Sequence, residues 1–384
     1  GLLAECCDHV AVVDERDENL VVNQKMNDAY TNVSYIKAAD FRKMETTEKE
    51  GKYDLVVLRS DRSEMDIKTI FTQAAFYLSE NIRLIFACEN DLGLSFLSGA
   101  VHDEDETAFT KGELEEAFKE AGLSRVEFYY PMPEYKRAAS VYSDRYLPGK
   151  GDIPHVTAVY DRQRWACIHE DEISDKLVQE KAFGLFANAY LAVASKGAGS
   201  FKAVFAKYNR TRKEDFQIRT AILEENGKRY VEKTALTAAA EAHIRSMREK
   251  YEKLISVNPA VKVLEPHYSK DNKAVRFGFL KGKTLAEILG EQITGKKAPV
   301  EALKAAMDRV FGQAVLKKEP FTPTDQFKEV FGDSEEILSL QDTSYEVSNI
   351  DGLFENLMET QDGLYCLDYE WVFDFPIPAG FIRY

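Results

Sequence analysis

Five residues in the second half of this 384-residue chain have the types and order that phosphoryl transfer demands. The reaction needs a lysine on a strand to hold phosphate oxygens and a helix acid to orient that lysine. It also needs an acid beside the acceptor hydroxyl, and an Asn and an Asp to hold magnesium. Lys233 lies in the strand-like Tyr230-Val231-Glu232-Lys233, and Glu241 follows in a helix-forming stretch. Asp351 and Asn356 stand five apart in Asn349-Ile350-Asp351-Gly352-Leu353-Phe354-Glu355-Asn356, the D-x4-N spacing of a phosphotransfer loop. Asp368 ends the apolar run Leu364-Tyr365-Cys366-Leu367 and opens Asp368-Tyr369-Glu370. Each residue alone is commonplace; the order carries the reading. It predicts Lys233 in a salt bridge with Glu241, facing Asp368 across a cleft between two lobes. Asp351 is then the catalytic acid-base, Lys233 and Glu241 hold the nucleotide, and Asn356 and Asp368 ligate the metal.

The first half offers a different chemistry. Asp14 closes the apolar run Val10-Ala11-Val12-Val13, a place from which a carboxylate can accept from both ribose hydroxyls of a nucleoside. Glu89 and Asn90 end another apolar run and are candidates to face an acceptor. The acidic stretch from His102 to Glu106 reads as a solvated loop rather than a metal site.

The elements that must position these groups fall into two patterns. Up to residue 130, short apolar runs alternate with amphipathic stretches: strands at 10–14, 33–37, 52–58, 82–88 and 126–130, helices at 18–29, 67–78 and 110–121. Such alternation predicts an α/β fold, a doubly wound sheet with helices on both faces. Thr110 and Glu113 form a capping-box pair at the last of these helices. Beyond residue 188 the pattern changes to strands at 189–194, 201–208, 216–224 and 229–235, with Asn226-Gly227 as a hairpin turn. A long helix over 237–254 and a strand at 274–280 follow. Antiparallel strands, a helix and a further strand suggest the α+β small lobe of a kinase-like fold. The expected division is 1–160 for the first domain, 161–188 for a helical connector and 189–384 for the second. The second splits into a small lobe at about 189–280 and part of a large lobe at about 283–384.

Composition narrows the partners. With 50 Lys and Arg against 65 Asp and Glu, the net charge is −15, which argues against nucleic acid or an anionic membrane surface as a broad partner. Five cysteines without a CxxC pair point to buried thiols in a reducing compartment. No apolar run approaches the ~18 residues of a membrane span, and no signal peptide is evident, so a soluble, cytoplasmic protein is expected. The chain begins inside a helical pattern and ends without a polar tail, and reads as a piece of a longer protein.

The first half resembles class I S-adenosylmethionine-dependent methyltransferases of bacterial surface-polysaccharide gene clusters. The likeness rests on Val10–Asp14, Lys52–Leu58 and Phe86-Ala87-Cys88-Glu89-Asn90-Asp91-Leu92-Gly93-Leu94. It continues in Phe128-Tyr129-Tyr130-Pro131-Met132-Pro133-Glu134-Tyr135-Lys136 and Tyr142-Ser143-Asp144-Arg145-Tyr146-Leu147-Pro148. The second half is similar to the aminoglycoside-phosphotransferase-like branch of kinases, and to kinase domains fused to methyltransferases that cap bacterial O-antigen chains. The resemblance implies S-adenosylmethionine held at Asp14, ATP with magnesium in the second module, and a glycan or lipid-linked saccharide acceptor. It also implies a glycosyltransferase as an associated domain or partner. Two departures stand out: Asn349 occupies the place of the catalytic-loop histidine, and Asn209-Arg210-Thr211-Arg212-Lys213 replaces a glycine-rich loop. That basic turn is either a side-chain phosphate clamp or a solvated loop. Two alternatives to a two-module enzyme remain: a catalytically decayed scaffold that binds a nucleotide, glycan or partner, and a kinase whose methyltransferase domain is structural.

Overall fold

The apolar runs of the sequence become strands β1 (Val10–Asp14), β2 (Val33–Lys37), β3 (Tyr53–Arg59), β4 (Leu78–Glu89), β5 (Arg125–Met132), β6 (Ser140–Ser143), β7 (Ala189–Ser195), β8 (Ala203–Tyr208), β9 (Ile218–Glu225) and β10 (Lys228–Ala235). The structure is a computed structural model and describes residues 2–43, 53–61, 65–102, 104–153, 168–197, 201–294, 298–314, 316–317, 320–338 and 340–384. It divides into two units: Gly1–Tyr130 with Gly149–Ser200, and Pro131–Pro148 with Phe201–Tyr384.

In the first unit β3 runs parallel to β4, and a parallel pair needs a crossover between its strands. The helix Ile67–Tyr77 supplies it. Asp66 caps that helix by accepting from the Thr69 amide at 3.0 Å. Phe71 from its buried face stacks on Phe118 at 4.1 Å and meets Phe86 of β4 edge-on at 5.0 Å. Phe118 belongs to the helix Lys111–Glu120, whose Thr110–Glu113 capping box is formed. On the other side of β4 lies β7, antiparallel to it, and then β5. β1 and β2 form a separate parallel pair. This is the Rossmann-like α/β class.

The strand at 189–194 was expected to open the second module; it belongs instead to the first unit, as β7 between β4 and β5. The reason lies in its side chains. Ala189, Tyr190, Ala192 and Ala194 are all buried, so apolar residues occupy both of its faces, as in a central strand. The described part of the expected connector folds as the helices Glu170–Gln179 and Phe183–Phe186. The boundary expected at 160–161 lies outside the described residues.

The second unit opens with an antiparallel sheet in the order β6, β8, β9, β10, then the strands Ala274–Gly278 and His267–Tyr268. β6 comes from a stretch read as part of the first domain. It pairs with β8, and Ser143 Oγ donates to the Val204 carbonyl at 2.7 Å. Asn226 and Gly227, with φ of 51° and 74°, form the two-residue turn between β9 and β10. The single helix expected over 237–254 is two, Glu241–Arg245 and Met247–Val257. Thr237 Oγ1 accepts from the Ala240 amide, and Ser246 Oγ donates back to the His243 carbonyl at the junction, local bonds that compete with a continuous ladder. Ile244, Met247 and Leu254 from these helices pack with Val275 and Phe277 of the sheet. Leu285, Val310, Leu357 and Leu364 complete that core. Among the described residues no helix is long and apolar enough to cross a membrane.

Candidate functional site

Lys233 lies mid-strand in β10, paired with Thr220 on one side and Val275 on the other. With 5% of its surface exposed, its charge requires partners. Its Nζ donates to Asp368 Oδ1 at 2.8 Å and to Glu370 Oε1. Glu370 is 1% exposed, and its second oxygen accepts from Arg212 Nη1. Lys250 Nζ donates to the Glu370 main-chain carbonyl at 2.5 Å.

The loop that follows the strand Ser348–Asn349 is tied to this group. Asn349 Nδ2 donates to the Asp368 carbonyl at 2.9 Å, while its Oδ1 accepts from the Asp351 amide at 3.2 Å. Asn356 Nδ2 donates to the Asp351 carbonyl at 2.9 Å, which leaves the Asn356 amide oxygen and the Asp351 carboxylate for other work. Asn349, which stands where a histidine was expected, thus holds the Asp351 loop against Asp368.

Electrostatics follow from this crowding. Burial pushes the Asp351 carboxyl up to about 6, and the carboxylates of Asp368 and Glu370 add to the rise. Burial also works against Glu370, but the His243 ring and the Lys233 and Arg212 cations outweigh it and hold its carboxyl below the usual range. Lys233 is likewise opposed by burial and nonetheless raised, by Asp368 and Glu370.

Four of the five residues singled out therefore converge: Lys233, Asp351, Asn356 and Asp368, with Lys233 and Asp368 in contact although 135 positions separate them. The second unit is kinase-like. The fifth residue is a correction. Glu241 does not pair with Lys233; it takes Arg245 at 3.1 Å and Lys273 at 3.3 Å at the surface. Two residues along a helix is about 200° of turn, so the side chain on the opposite, buried face of that short helix is His243, whose Nε2 lies 3.6 Å from Glu370 Oε2. The acid that orients Lys233 is Glu370. Sequence reasoning missed it, although it is the third residue of Asp368-Tyr369-Glu370. The basic turn at 209–213 is anchored by Gln217 Nε2, which donates to the Arg210 and Arg212 carbonyls, and Arg212 is committed to Glu370. Glu241→Gln is accordingly expected to leave stability essentially unchanged, as for an exposed ion pair. Nucleotide titrations of that variant should overlay the parent's; a tenfold weakening would return Glu241 to the site.

The donor set suits magnesium. Asp351, Asp368 and the Asn356 amide offer oxygens, and the mutual repulsion that lifts Asp351 is what a divalent cation relieves. Among the described residues no three His, Cys, Asp or Glu side chains form a metal cage. Magnesium in such sites is held by one or two carboxylates together with phosphate oxygens.

In the first unit the three candidates differ in what holds them. Asp14 ends β1, and its carboxylate accepts from the Arg16 amide at 2.8 Å and from Asn19 Nδ2 at 3.0 Å. A carboxylate has about four acceptor positions, so room for a hydroxyl remains. Asn90 does not face an acceptor. It is fully buried, its Nδ2 donates to the Leu185 and Ala187 carbonyls at 2.9 and 2.7 Å, and its Oδ1 accepts from the Leu92 amide at 3.0 Å. Its role is to fasten the end of β4 to the segment that enters β7. Glu89 is engaged by His102 Nδ1 at 3.2 Å; His102 also lies 3.5 Å from Asp91 and stacks on Phe96. That grouping was invisible in a run read as a solvated loop.

No protein-family model matches the chain, and no curated protein does. Solved structures share parts of it. A SAM-dependent methyltransferase described as a possible histamine N-methyltransferase, from Thermotoga maritima, is 10% identical with a TM-score of 0.30. That match spans 49% of this chain and 73% of the other. A SAM-dependent methyltransferase from Archaeoglobus fulgidus is 11% identical, TM-score 0.29, over 48% of this chain and 74% of its own. The gentamicin–APH(2")-IIa complex is 14% identical, TM-score 0.26, over 44% of this chain and 65% of its own. With identities this low, the fold of each unit rests on its own strand order and side-chain geometry.

Proposed function

We propose that the second unit binds magnesium–ATP and transfers its terminal phosphoryl group to an acceptor hydroxyl. The observation that supports this reading is the convergence of Lys233 and Asp368 with the Asp351–Asn356 loop. Lys233 holds phosphate oxygens, and Asp368 with the Asn356 amide oxygen holds magnesium, which screens the charge of the phosphates. The acceptor oxygen forms a bond to phosphorus as the bond to the leaving diphosphate breaks. Asp351 receives the hydroxyl proton, and a carboxyl near 6 is ionised at neutral pH yet basic enough for that role. The acceptor class, a glycan or lipid-linked saccharide of a bacterial surface polymer, comes from the sequence resemblance, as does an associated glycosyltransferase.

For the first unit the reading is a fold that holds S-adenosylmethionine or a related nucleoside at Asp14. The burial of Asn90 and the engagement of Glu89 by His102 favour binding without methyl transfer over catalysis by those two residues. Separate calorimetric titrations of the full chain test both halves. Magnesium–ATP should give saturable heat that disappears in Asp368→Asn; absence of heat at millimolar nucleotide rejects phosphoryl transfer. S-adenosylmethionine should give heat weakened about tenfold or more in Asp14→Ala, the cost of a charged hydrogen bond. Equal affinity in that variant removes Asp14 from the site.

A further inference from the structure

A cavity of about 110 Å³ in the second unit is lined in part by Asn349, Ile350, Gly352 and Leu353, the loop residues that flank Asp351. Its other walls include Val257 at the end of the helix Met247–Val257, and Val310 and Phe311 at the end of the helix Pro299–Phe311. Among the described lining residues none is charged. An apolar cavity of about 150 Å³ is enough to hold a benzene ring. The space here therefore sets a single ring as the upper size of an occupant.

Ser348 carries the argument. It is 3% exposed and lies on the lining, and its hydroxyl has no hydrogen-bond partner. The other polar side chains of the lining are engaged. Asn258 Nδ2 donates to the Val310 carbonyl at 2.8 Å, and its Oδ1 accepts from the Ala260 amide at 3.2 Å. Tyr345 Oη accepts from Arg383 Nε at 3.0 Å, and Cys366 Sγ donates to the Asp368 carbonyl at 3.0 Å. Asn349 is spent on the Asp368 carbonyl and the Asp351 amide. A buried hydroxyl left without a partner is uncommon and calls for an explanation. A trapped water is a poor one. Buried water makes about three hydrogen bonds, and the side chains of this lining offer it one unengaged group.

We propose that this cavity binds a small uncharged molecule of single-ring size that carries one hydroxyl. Its ring lies among Val257, Val310, Phe311 and Leu353, and its hydroxyl pairs with Ser348 Oγ. A serine hydroxyl both donates and accepts, so a hydroxyl partner meets it in either sense. An ion is disfavoured, because the lining holds no counter-charge and an unpaired buried charge is costly. Residues on both sides of Asp351 line the cavity, so an occupant packs against the loop that presents that acid. The inference is independent of nucleotide binding in the unit, because Lys233, Asp351, Asn356 and Asp368 are not on the lining.

Calorimetric titration of the full chain with phenol measures this directly. Saturable heat with one phenol per chain is expected. Toluene should also bind, since the walls are apolar, and benzoate should bind at least tenfold more weakly than phenol. Ser348→Ala should weaken phenol about fivefold, the net worth of a neutral hydrogen bond, and leave toluene unchanged or tighter. Ala314→Leu, at another lining residue, should abolish both by filling the space. Should either variant fold poorly, the phenol–benzoate ratio on the parent decides alone. Heat that stays linear in phenol, benzoate binding equal to phenol, or phenol binding that survives Ala314→Leu overturns the site. A response to Ser348→Ala that is the same for phenol and toluene overturns the hydroxyl pairing.

Discussion

Lys233→Met is expected to destabilise the second unit by about 3–5 kcal/mol, because it leaves buried Glu370 and half-buried Asp368 without their shared cation. Arg212 is then the cation still in direct contact with the Glu370 carboxylate, and at 31% side-chain exposure it is the wetter and weaker partner. If the loss comes from a stranded charge rather than from lost lysine contacts, removing the charge as well should reverse it. Lys233→Met with Glu370→Met is therefore expected to return to within about 1–2 kcal/mol of the parent, as replaced buried ion pairs commonly do. Urea unfolding followed by Trp371 emission in the Trp165→Phe chain measures all three proteins. A deficit under about 1 kcal/mol in the single variant would mean that the lysine is solvated in solution.

The pH dependence of that deficit has a definite form. Glu370 is held below its ordinary range, so its contribution is complete above about 4.5 and is lost as the pH falls through the lowered value. Lys233 is held above its ordinary range, so its contribution is complete below about 10.5 and is lost as the pH rises through the raised value. Between about pH 5 and 10 these two contributions are constant. The cost of Lys233→Met should rise there only as its neighbours titrate, Asp351 near 6 losing the cation that favours its charge and Lys250 near 8 losing a like charge that opposes it. Nucleotide affinity should fall in both the single and the double variant, since the phosphate-holding cation is missing from each. That separates the nucleotide-holding role proposed for Lys233 from the structural role of its pair.

What could be read from residue types was what depends on local pattern. The strands of the first unit, the Thr110–Glu113 cap, the Asn226–Gly227 turn and the ordered set Lys233, Asp351, Asn356 and Asp368 each have a signature within a few residues. The errors came where the outcome depends on phase or on a distant neighbour. Glu241 was placed on the site side because it is an acid in the helical stretch that follows the Lys233 strand. The helix starts at 241, and its phase turns His243 inward. Glu370 could not be ranked above Glu241 as the partner of Lys233, since both are acids at workable spacing and only burial distinguishes them. Strand β7 was assigned to the wrong unit for a related reason: a strand that is apolar on both faces fits the middle of either sheet. Asn90 looked reactive because it follows a strand end, but the carbonyls of Leu185 and Ala187 that consume its amide lie 95 and 97 residues away.

Asp351→Asn is expected to make the protein more stable and less active at the same time. The carboxyl of Asp351 sits near 6 where an unperturbed aspartate lies at 3.8, so at neutral pH the fold holds a carboxylate that its surroundings disfavour. The stability that the protonated acid confers is fully present below 3.8 and is lost as the pH rises through about 6. An amide cannot ionise and avoids that loss. Two pKa units correspond to about 3 kcal/mol. Solvent screens this half-buried group, so the gain in the variant is placed near 1 kcal/mol, or about 2–4 °C in melting temperature at pH 8. The gain should shrink steadily from pH 6 and vanish near pH 4. Magnesium should narrow it from the other direction, raising the melting temperature of the parent more than that of the variant, because the ion supplies the counter-charge that Asp351 lacks. Phosphoryl transfer should fall by about 10²–10⁴, the span of a general base, with ATP affinity changed little. Melting curves at pH 4, 6 and 8, with and without magnesium, are the measurement. A variant no more stable than the parent at pH 8 would place Asp351 outside the carboxylate cluster, and with it the acceptor hydroxyl. The combination of higher stability and lost turnover is what distinguishes a residue strained for catalysis from one that merely holds a loop, since a loop anchor would lose both together.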